Sequence, residues 1–563
     1  MAYIKFSLQI TGQIIFVITF IFFSTLHAKN LDRFEKGGNI SDYFFGVLLL
    51  NQNQYNDSHK FLKRLDGLEA SHNTYSSKYL YSLVNSGNFN QAFNYSKKLE
   101  RDGIESFETD LIIGIYYLKN SKHNLANNYF LKAKQRNSRS VLENYIAHSL
   151  SIWSNLNNYK LSEATESLKK LDNRFQNLKK IQEVFINCFY NSSKTEFLFD
   201  ELVSNNKTDF SRYNYFYAKY LESLNKSEKS EKIINQSLKL YPRNLLLNHH
   251  KTASKNQNVN LNFKCKKQDH VAAEIIYIAA NALSSQSIFP LSNFYLYLAK
   301  YLNKEFHTFD TLLAENFFKI KDYSTSKKIY NRLSKNGRAL EWYSQKQISR
   351  ILIIENNVNK SIKLFQKAFN NLEIKGIYET FDYAEFLKNN EQFEEAIGYY
   401  TKILNQINKD HSLYPDAKDG RGIAYERTDQ WEKAEKDFLK ALDFKPNQPY
   451  VLNYLGYSYL EQKTNLNEAL EMIRKAVKLR PRDGYIIDSL GWGYYRLKKY
   501  EAAVLELERA VLYRPEDPII NDHLGDAYWK FGRREEAISQ WKRVLIIKPK
   551  YKNRKIVLEG GSV

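Results

Sequence analysis

Apolar side chains recur at i, i+3, i+4 and i+7 along most of the chain, the spacing that lines one face of an α-helix. Segments such as Ala502–Val511 carry it, with charged residues interleaved. The helical segments come in pairs, and in the last third the pairs fall into register. Pro446, Pro481, Pro515 and Pro549 are spaced 35, 34 and 34. Ala434, Ala469, Ala503 and Ala537 keep the same spacing, and Gly422, Gly456, Gly491 and Gly525 are spaced 34, 35 and 34. Tyr425, Tyr459, Tyr494 and Tyr528 move in step. The one extra residue falls between Tyr459 and Ala469, most simply in the turn around Lys463-Thr464-Asn465.

Each unit predicts an antiparallel helix pair. Gly in the first helix and Ala in the second mark a close crossing of two backbones. Tyr three residues after the Gly shares its face and fills the space beside the crossing. Pro near the end of the second helix stops the hydrogen-bond ladder. Weaker copies run back through the chain. Ordered by the small residue of the second helix, they are Ser58, Ala92, Ala126, Ala164, Ser230, Ser292, Ser326, Ser361, Ala396, Ala434, Ala469, Ala503 and Ala537. The gap between Ala164 and Ser230 leaves room for one degenerate unit near Phe185–Leu202.

These positions resemble the tetratricopeptide repeat family, whose 34-residue pattern is Leu-Gly-x2-Tyr, then Ala-x3-Phe-x2-Ala, then Pro. Leu490-Gly491…Tyr494…Ala503…Leu507…Ala510…Pro515 carries it, as does Leu524-Gly525…Tyr528…Ala537…Trp541…Val544…Pro549. Phrases such as Ala273-Glu274-Ile275-Ile276-Tyr277 and Asn521-Asp522-His523-Leu524-Gly525-Asp526 resemble long secreted members from α-proteobacteria. The resemblance implies an all-α fold, a right-handed superhelical α-solenoid of about thirteen to fourteen tetratricopeptide-like hairpins. It also implies a concave groove lined by first helices, where ligand peptides lie. Carried over by register, the groove residues are Tyr450, Asn453 and Tyr457, then Tyr485, Asp488, Trp492, Tyr495 and Arg496, then Ile519, Asp522, Asp526, Trp529 and Lys530. The stripe mixes aromatics with carboxylates and suits an extended segment with apolar and basic or neutral polar side chains. The competing reading is that the aromatics pack between repeats and that Asp488 and Asp522 brace neighbouring helices.

Low Gly and Pro counts, 21 and 9 in 563 residues, disfavour an all-β fold. The chain carries a net charge of +21. Pro415–Pro549 has 24 basic and 22 acidic residues, so the regular repeats are almost neutral and the excess lies in the first part. Nucleic-acid binding favours a clustered basic stripe, which is not seen, and is not expected. Lys251–Gln268 has five lysines, no acid and no apolar period, and reads as a loop or linker.

Lys5 precedes the apolar run Ile14–Phe23, and small or polar residues follow to Ala28. This reads as a secretory signal, with an uncleaved anchor as the alternative. The predicted organisation is an export segment at 1–28, a divergent repeat block at 29–245, a basic linker at 246–270, a regular block at 271–549 and a basic tail at 550–563. Cys188 and Cys265 are 77 residues apart and form no zinc-ligand spacing, and the sequence leaves their pairing open. Motifs for a catalytic serine elbow, a zinc protease, a phosphate loop or a dinucleotide fold are absent. His249-His250 reads as a pair of loop residues. No catalytic residue, cofactor or metal site is predicted.

The expected function is a non-enzymatic protein-binding scaffold, periplasmic or anchored to the inner membrane of a bacterial envelope. A role in envelope assembly, secretion or polysaccharide export is the concrete form. The alternatives are a regulatory subunit of an envelope enzyme, or an electrostatic binder of an anionic polymer or membrane surface through the basic first part.

Overall fold

The computed structural model describes residues 38–69, 72, 74–136, 140–204, 210–253 and 263–549. The predicted export segment at 1–28, the centre of the predicted linker and the predicted tail at 550–563 lie outside the described residues. The chain is an all-α helical solenoid, with 29 α-helices and no strand among the described residues. It divides into two units, 1–357 and 358–563.

In the first unit, six hairpins come in order: α1 (Asn39–Asn51) with α2 (Tyr55–Lys63), α3 (Tyr75–Asn85) with α4 (Phe89–Arg101), α5 (Phe107–Lys119) with α6 (His123–Gln135), α7 (Val141–Ser154) with α8 (Leu161–Lys169), α9 (Gln176–Phe189) with α10 (Thr195–Val203), and α11 (Ser211–Ser223) with α12 (Ser227–Leu240). A single helix, α13 (Leu245–Ala253), follows. Two more hairpins, α14 (Gln268–Ser285) with α15 (Phe289–Leu302) and α16 (Thr308–Lys319) with α17 (Tyr323–Leu333), lead to α18 (Arg338–Ile354). The second unit opens with α19 (Val358–Asn370). Five hairpins follow: α20 (Ile377–Asn389) with α21 (Phe393–Leu404), α22 (Tyr414–Glu426) with α23 (Trp431–Phe444), α24 (Pro449–Glu461) with α25 (Leu466–Leu479), α26 (Gly484–Arg496) with α27 (Tyr500–Tyr513), and α28 (Pro518–Phe531) with α29 (Arg534–Ile547).

All thirteen predicted small residues lie buried in helices, twelve in the second helix of a hairpin and Ser361 in α19. Serine serves where alanine is absent because its hydroxyl finds a partner at the crossing. Ser58 Oγ donates to the Gly46 carbonyl at 2.7 Å, Ser292 to Ala280 at 2.7 Å and Ser326 to Ala314 at 2.9 Å. Each satisfies a polar atom that would otherwise be costly to bury. The degenerate unit is α9–α10, with Thr195 in the small-residue seat. At Gly456 an added Cβ would lie 2.8 Å from the Ala469 carbonyl oxygen, so the backbone crossing itself excludes a side chain there. The turn between α24 and α25 has one residue more than the turn between α26 and α27, which is the extra residue of the register. Many of the hairpin turns hold one residue near φ +60°, including Asn53, Asn191 and Asn225. Asparagine tolerates that left-handed conformation better than most side chains.

The first unit also folds on itself. Helices α14 and α15 pack against the first helices α3, α5 and α7. Lys119 Nζ donates to Asp269 at 3.0 Å and to the Leu302 carbonyl at 2.5 Å. Gln268 Nε2 donates to the Trp153 carbonyl at 2.8 Å. Phe89 stacks on Tyr301 and Tyr81 on Phe294, with centroids 3.8 and 5.3 Å apart. Arg212 and Glu274 form a double hydrogen-bonded pair at 2.7 Å, with the guanidinium 4.1 Å from the centroid of the Tyr277 ring. Cys188 and Cys265 form a disulfide, with Cα atoms 6.0 Å apart, at the entry to α14. Leu111, Ile112, Ile113 and Ile115 of α5 are therefore buried on every side. Each such side chain contributes about 1.5–3 kcal/mol through the apolar area it removes from water.

His249 and His250 are a correction to the sequence reading. They lie in helix α13 rather than a loop, and both are buried. His250 Nε2 is 2.9 Å from Glu222 Oε1. No helix among the described residues is long and apolar enough to cross a membrane.

Candidate functional site: the first-helix face of the second unit

The register-derived residues lie on α24, α26 and α28. Asp483 and Asp517 fix where α26 and α28 begin. Asp483 accepts from the Tyr485 amide at 3.1 Å, and Asp517 accepts from the amides of Ile519 and Ile520 at 2.9 and 3.1 Å. Such caps satisfy amides that have no partner within their own helix.

Two groups of side chains result. Tyr450, Tyr485 and Ile519 each stand near the start of a successive first helix and are 50%, 51% and 53% exposed. Arg514 holds the Tyr485 ring at 4.7 Å, and the Tyr450 hydroxyl donates to Asp483 at 3.1 Å. Arg480 likewise lies over the Tyr450 ring, 5.9 Å from its centroid, yet about half of each residue stays open to solvent. These three form an exposed apolar ladder.

The second group is a braced floor. Trp492 stacks between Tyr495 and His523, with centroids 4.7 and 4.1 Å away. Its Nε1 donates to Glu461 Oε1 at 2.8 Å. Arg496 donates to the Glu461 carbonyl at 3.4 Å. His523 Nδ1 lies 2.9 and 3.1 Å from the two carboxylate oxygens of the buried Asp488. Burial alone would lower the His523 pKa. The Asp488 carboxylate, helped by Asp522 and Asp526, instead holds it above its ordinary value. Burial raises the Tyr457 phenol to about 12, with Glu461 and Asp488 adding to the effect. Asp522 is buried, while Asn453 and Asp526 are partly buried. Trp529 packs 5.5 Å from Trp541, and Lys530 is exposed.

Asp488, Trp492, Tyr495 and Arg496 thus join one network with Glu461 and His523. Tyr450, Tyr485 and Ile519 stand apart from it. Among the described residues, no group of three or more His, Cys, Asp or Glu is placed to hold a metal ion.

Residues 489–551 match the tetratricopeptide repeat family. That stretch runs from the middle of α26 beyond the end of α29. No curated protein matches the chain. Among solved structures, a MamA structure (AMB-1) is 19% identical, covers 30% of this chain and 98% of that one, and has a TM-score of 0.27. The Cut9–Hcn1 hetero-tetramer of the APC/C is 13% identical, with coverage of 93% and 96% and a TM-score of 0.38. YrrB, titled a TPR protein with an unusual peptide-binding site, is 19% identical, with coverage of 35% and 97% and a TM-score of 0.27.

The tetratricopeptide register also exposes what sequence reading overlooked. Asp419, Asn453, Asp488 and Asp522 are spaced 34, 35 and 34, so Asp419 holds the same position one repeat earlier. Glu461 and His523 were findable too: Glu461 holds the register position of Arg496 and Lys530, and His523 directly follows Asp522. Their partners across helices were not readable from spacing.

Proposed function

We propose that this protein is an exported, non-enzymatic binding scaffold whose second unit holds an extended polypeptide segment along its first helices. The observation that carries the reading is the ladder of Tyr450, Tyr485 and Ile519, half exposed on three successive first helices. Aromatic side chains of this kind supply large contact area at low cost in rotamer entropy. The stacked network on the same first helices is already ordered, which lowers the entropic cost of binding. Export is supported by the leader-like first 28 residues and by the Cys188–Cys265 disulfide, a bond typical of oxidising compartments. Envelope assembly, secretion and polysaccharide export are the processes such an adaptor would serve.

Photo-crosslinking in living cells tests the reading. A benzoylphenylalanine at Tyr485 or Ile519 of the full chain should capture a polypeptide. The same probe at Leu512 or Ile546, which are also exposed, serves as the control. Equal capture at all four positions would remove the first-helix face as the binding surface. Protease accessibility of the intact chain in spheroplasts tests export separately.

A further inference from the structure

At the start of the second unit, three carboxylates share two lysines. Lys388 Nζ is taken by Glu385, at 2.9 and 3.0 Å from its two oxygens. Lys445 Nζ is taken by Asp416 at 2.6 Å. Asp419 is left over. Its Oδ1 is closed to solvent and accepts no hydrogen bond, while the residue as a whole remains partly open. Both lysines that act on it hydrogen-bond to other carboxylates, and the Tyr400 hydroxyl is turned onto Glu385. Asp419 occupies the register position of Asn453, Asp488 and Asp522, so it belongs to the same first-helix face as the ladder.

A carboxyl in this setting lacks one positive partner. Burial without compensation is costly, and a cation docking here would recover charge-assisted hydrogen bonds that the chain does not make itself. We propose that Asp419 is a seat for a lysine or arginine side chain of the polypeptide bound by the second unit. The proposal rests on the reading of that face as a polypeptide-binding surface and adds the chemistry of the bound segment. The segment carries a cation at the Asp419 end and apolar side chains along the ladder. In the neighbouring repeats the equivalent carboxylate does not offer such a seat in the same way, because Asp488 is already paired with His523.

The site has its own pH signature. Burial pushes the Asp419 carboxyl up to about 7, with Glu385 and Asp416 adding to the rise and Lys388 and Lys445 opposing it. The Tyr400 hydroxyl, bonded to Glu385, lies near enough to feel the Asp419 charge. A cation prefers the ionised form, so the proton must leave as the cation arrives. Binding through the seat therefore weakens as pH falls below about 7.

The test uses the full-length protein on an immobilised array of random dodecapeptides at pH 7.5. Wild type should enrich peptides that place Lys or Arg at a constant offset from apolar or aromatic residues. Asp419→Asn should lose the cation preference, with roughly tenfold weaker binding to the enriched peptides, and keep the apolar preference. Lowering the pH from 7.5 to 6 should weaken wild-type binding to these peptides several-fold more than Asp419→Asn binding. Enrichment of apolar peptides with no cation preference, or a preference unchanged in Asp419→Asn, overturns the seat and leaves the binding face intact. Loss of all enrichment in Tyr485→Ala/Ile519→Ala with wild-type thermal stability supports the face. An array with no enrichment, combined with equal crosslinking at Tyr485 and Leu512, overturns both.

Discussion

The same register position carries opposite chemistry in the two units. Counting from the crossing glycine, Leu111, Gly114 and Ile115 of α5 match Asp488, Gly491 and Trp492 of α26. Leu111 and Ile115 are fully buried. They face a hairpin of their own chain, because α14 and α15 cover the first helices of the early repeats. The second unit has no such covering hairpin among its described helices, and its first helices present Tyr450, Tyr485 and Ile519 to solvent. One hairpin design thus yields a core in one unit and a surface in the other. The side chains three before and one after the glycine differ accordingly, Leu111 and Ile115 in the covered helix against Asp488 and Trp492 in the open one.

The largest expected effect comes from breaking what holds the covering hairpin. Arg212 and Glu274 join α11 to α14 as a nearly buried pair. Arg212→Ala leaves Glu274 buried and uncompensated, and should cost about 3–5 kcal/mol. Hydrogen exchange measures it locally: uptake should rise across 268–285 and stay unchanged across 484–496. Arg212→Met with Glu274→Leu should recover most of the loss, because an apolar pair replaces an ionic one. Equal loosening of both segments would mean that the two faces are not held independently.

Next in size is the disulfide. It closes a loop of 77 residues between α9 and the entry to α14. Cys188→Ala with Cys265→Ala should lower the stability of the first unit by about 2–4 kcal/mol. Urea unfolding under oxidising conditions, followed by exchange in α9 and α14, reads this directly. Reducing agent should move wild type and leave the double variant unchanged.

A third experiment asks where the two units are alike. Ser326 and Ala503 fill the same crossing seat, one in each unit, and neither is exposed. Ser326→Leu and Ala503→Leu should each cost about 1–3 kcal/mol through overpacking. Closely matched losses would limit the difference between the units to their first-helix faces. A far smaller loss at Ser326 would show that the hairpin itself differs.

Much of this was legible in advance. The period, the small-residue seats and the position of the extra residue all follow from helix–helix crossing, which is local and leaves a spacing signature. Thr195 escaped because threonine is larger than the residues expected at that seat. The covering hairpin was harder. Its signal was a first helix apolar on all sides, Leu111-Ile112-Ile113-Gly114-Ile115, since such a helix must be buried all round. Nothing in the spacing named α14 and α15 as the partner, because that contact joins residues more than a hundred positions apart. The pairing of His523 with Asp488, 35 positions apart, also followed from structure, because spacing places both on one face without naming which side chains meet.

The smallest effect is the opposite response of the two units to acid. In the first unit, burial lowers His249 and His270 to about 4. His270 is held neutral with its Nδ1 accepting from the Lys264 amide at 3.2 Å, beside the disulfide. An unfolded histidine takes its proton near 6.5, so below that pH the unfolded state binds more protons than the folded one. Stability in this region should fall as pH drops from 6.5 towards 4, by about 1 kcal/mol for His249 at pH 5.5. In the second unit the sign reverses. His523 has a raised pKa, so its contribution is complete below about 6.5 and is lost as pH rises through the folded value. Asp419, raised to about 7, acts in the same direction, since its neutral form is the one the fold favours. Exchange measured at pH 7.5 and 5.5, corrected for intrinsic rates, should show 245–253 and 268–285 loosening while 414–426 and 518–531 tighten. His249→Phe should flatten the first response, and Asp419→Asn part of the second. If both units move together, the protonation states of their buried groups do not differ as the two packings require.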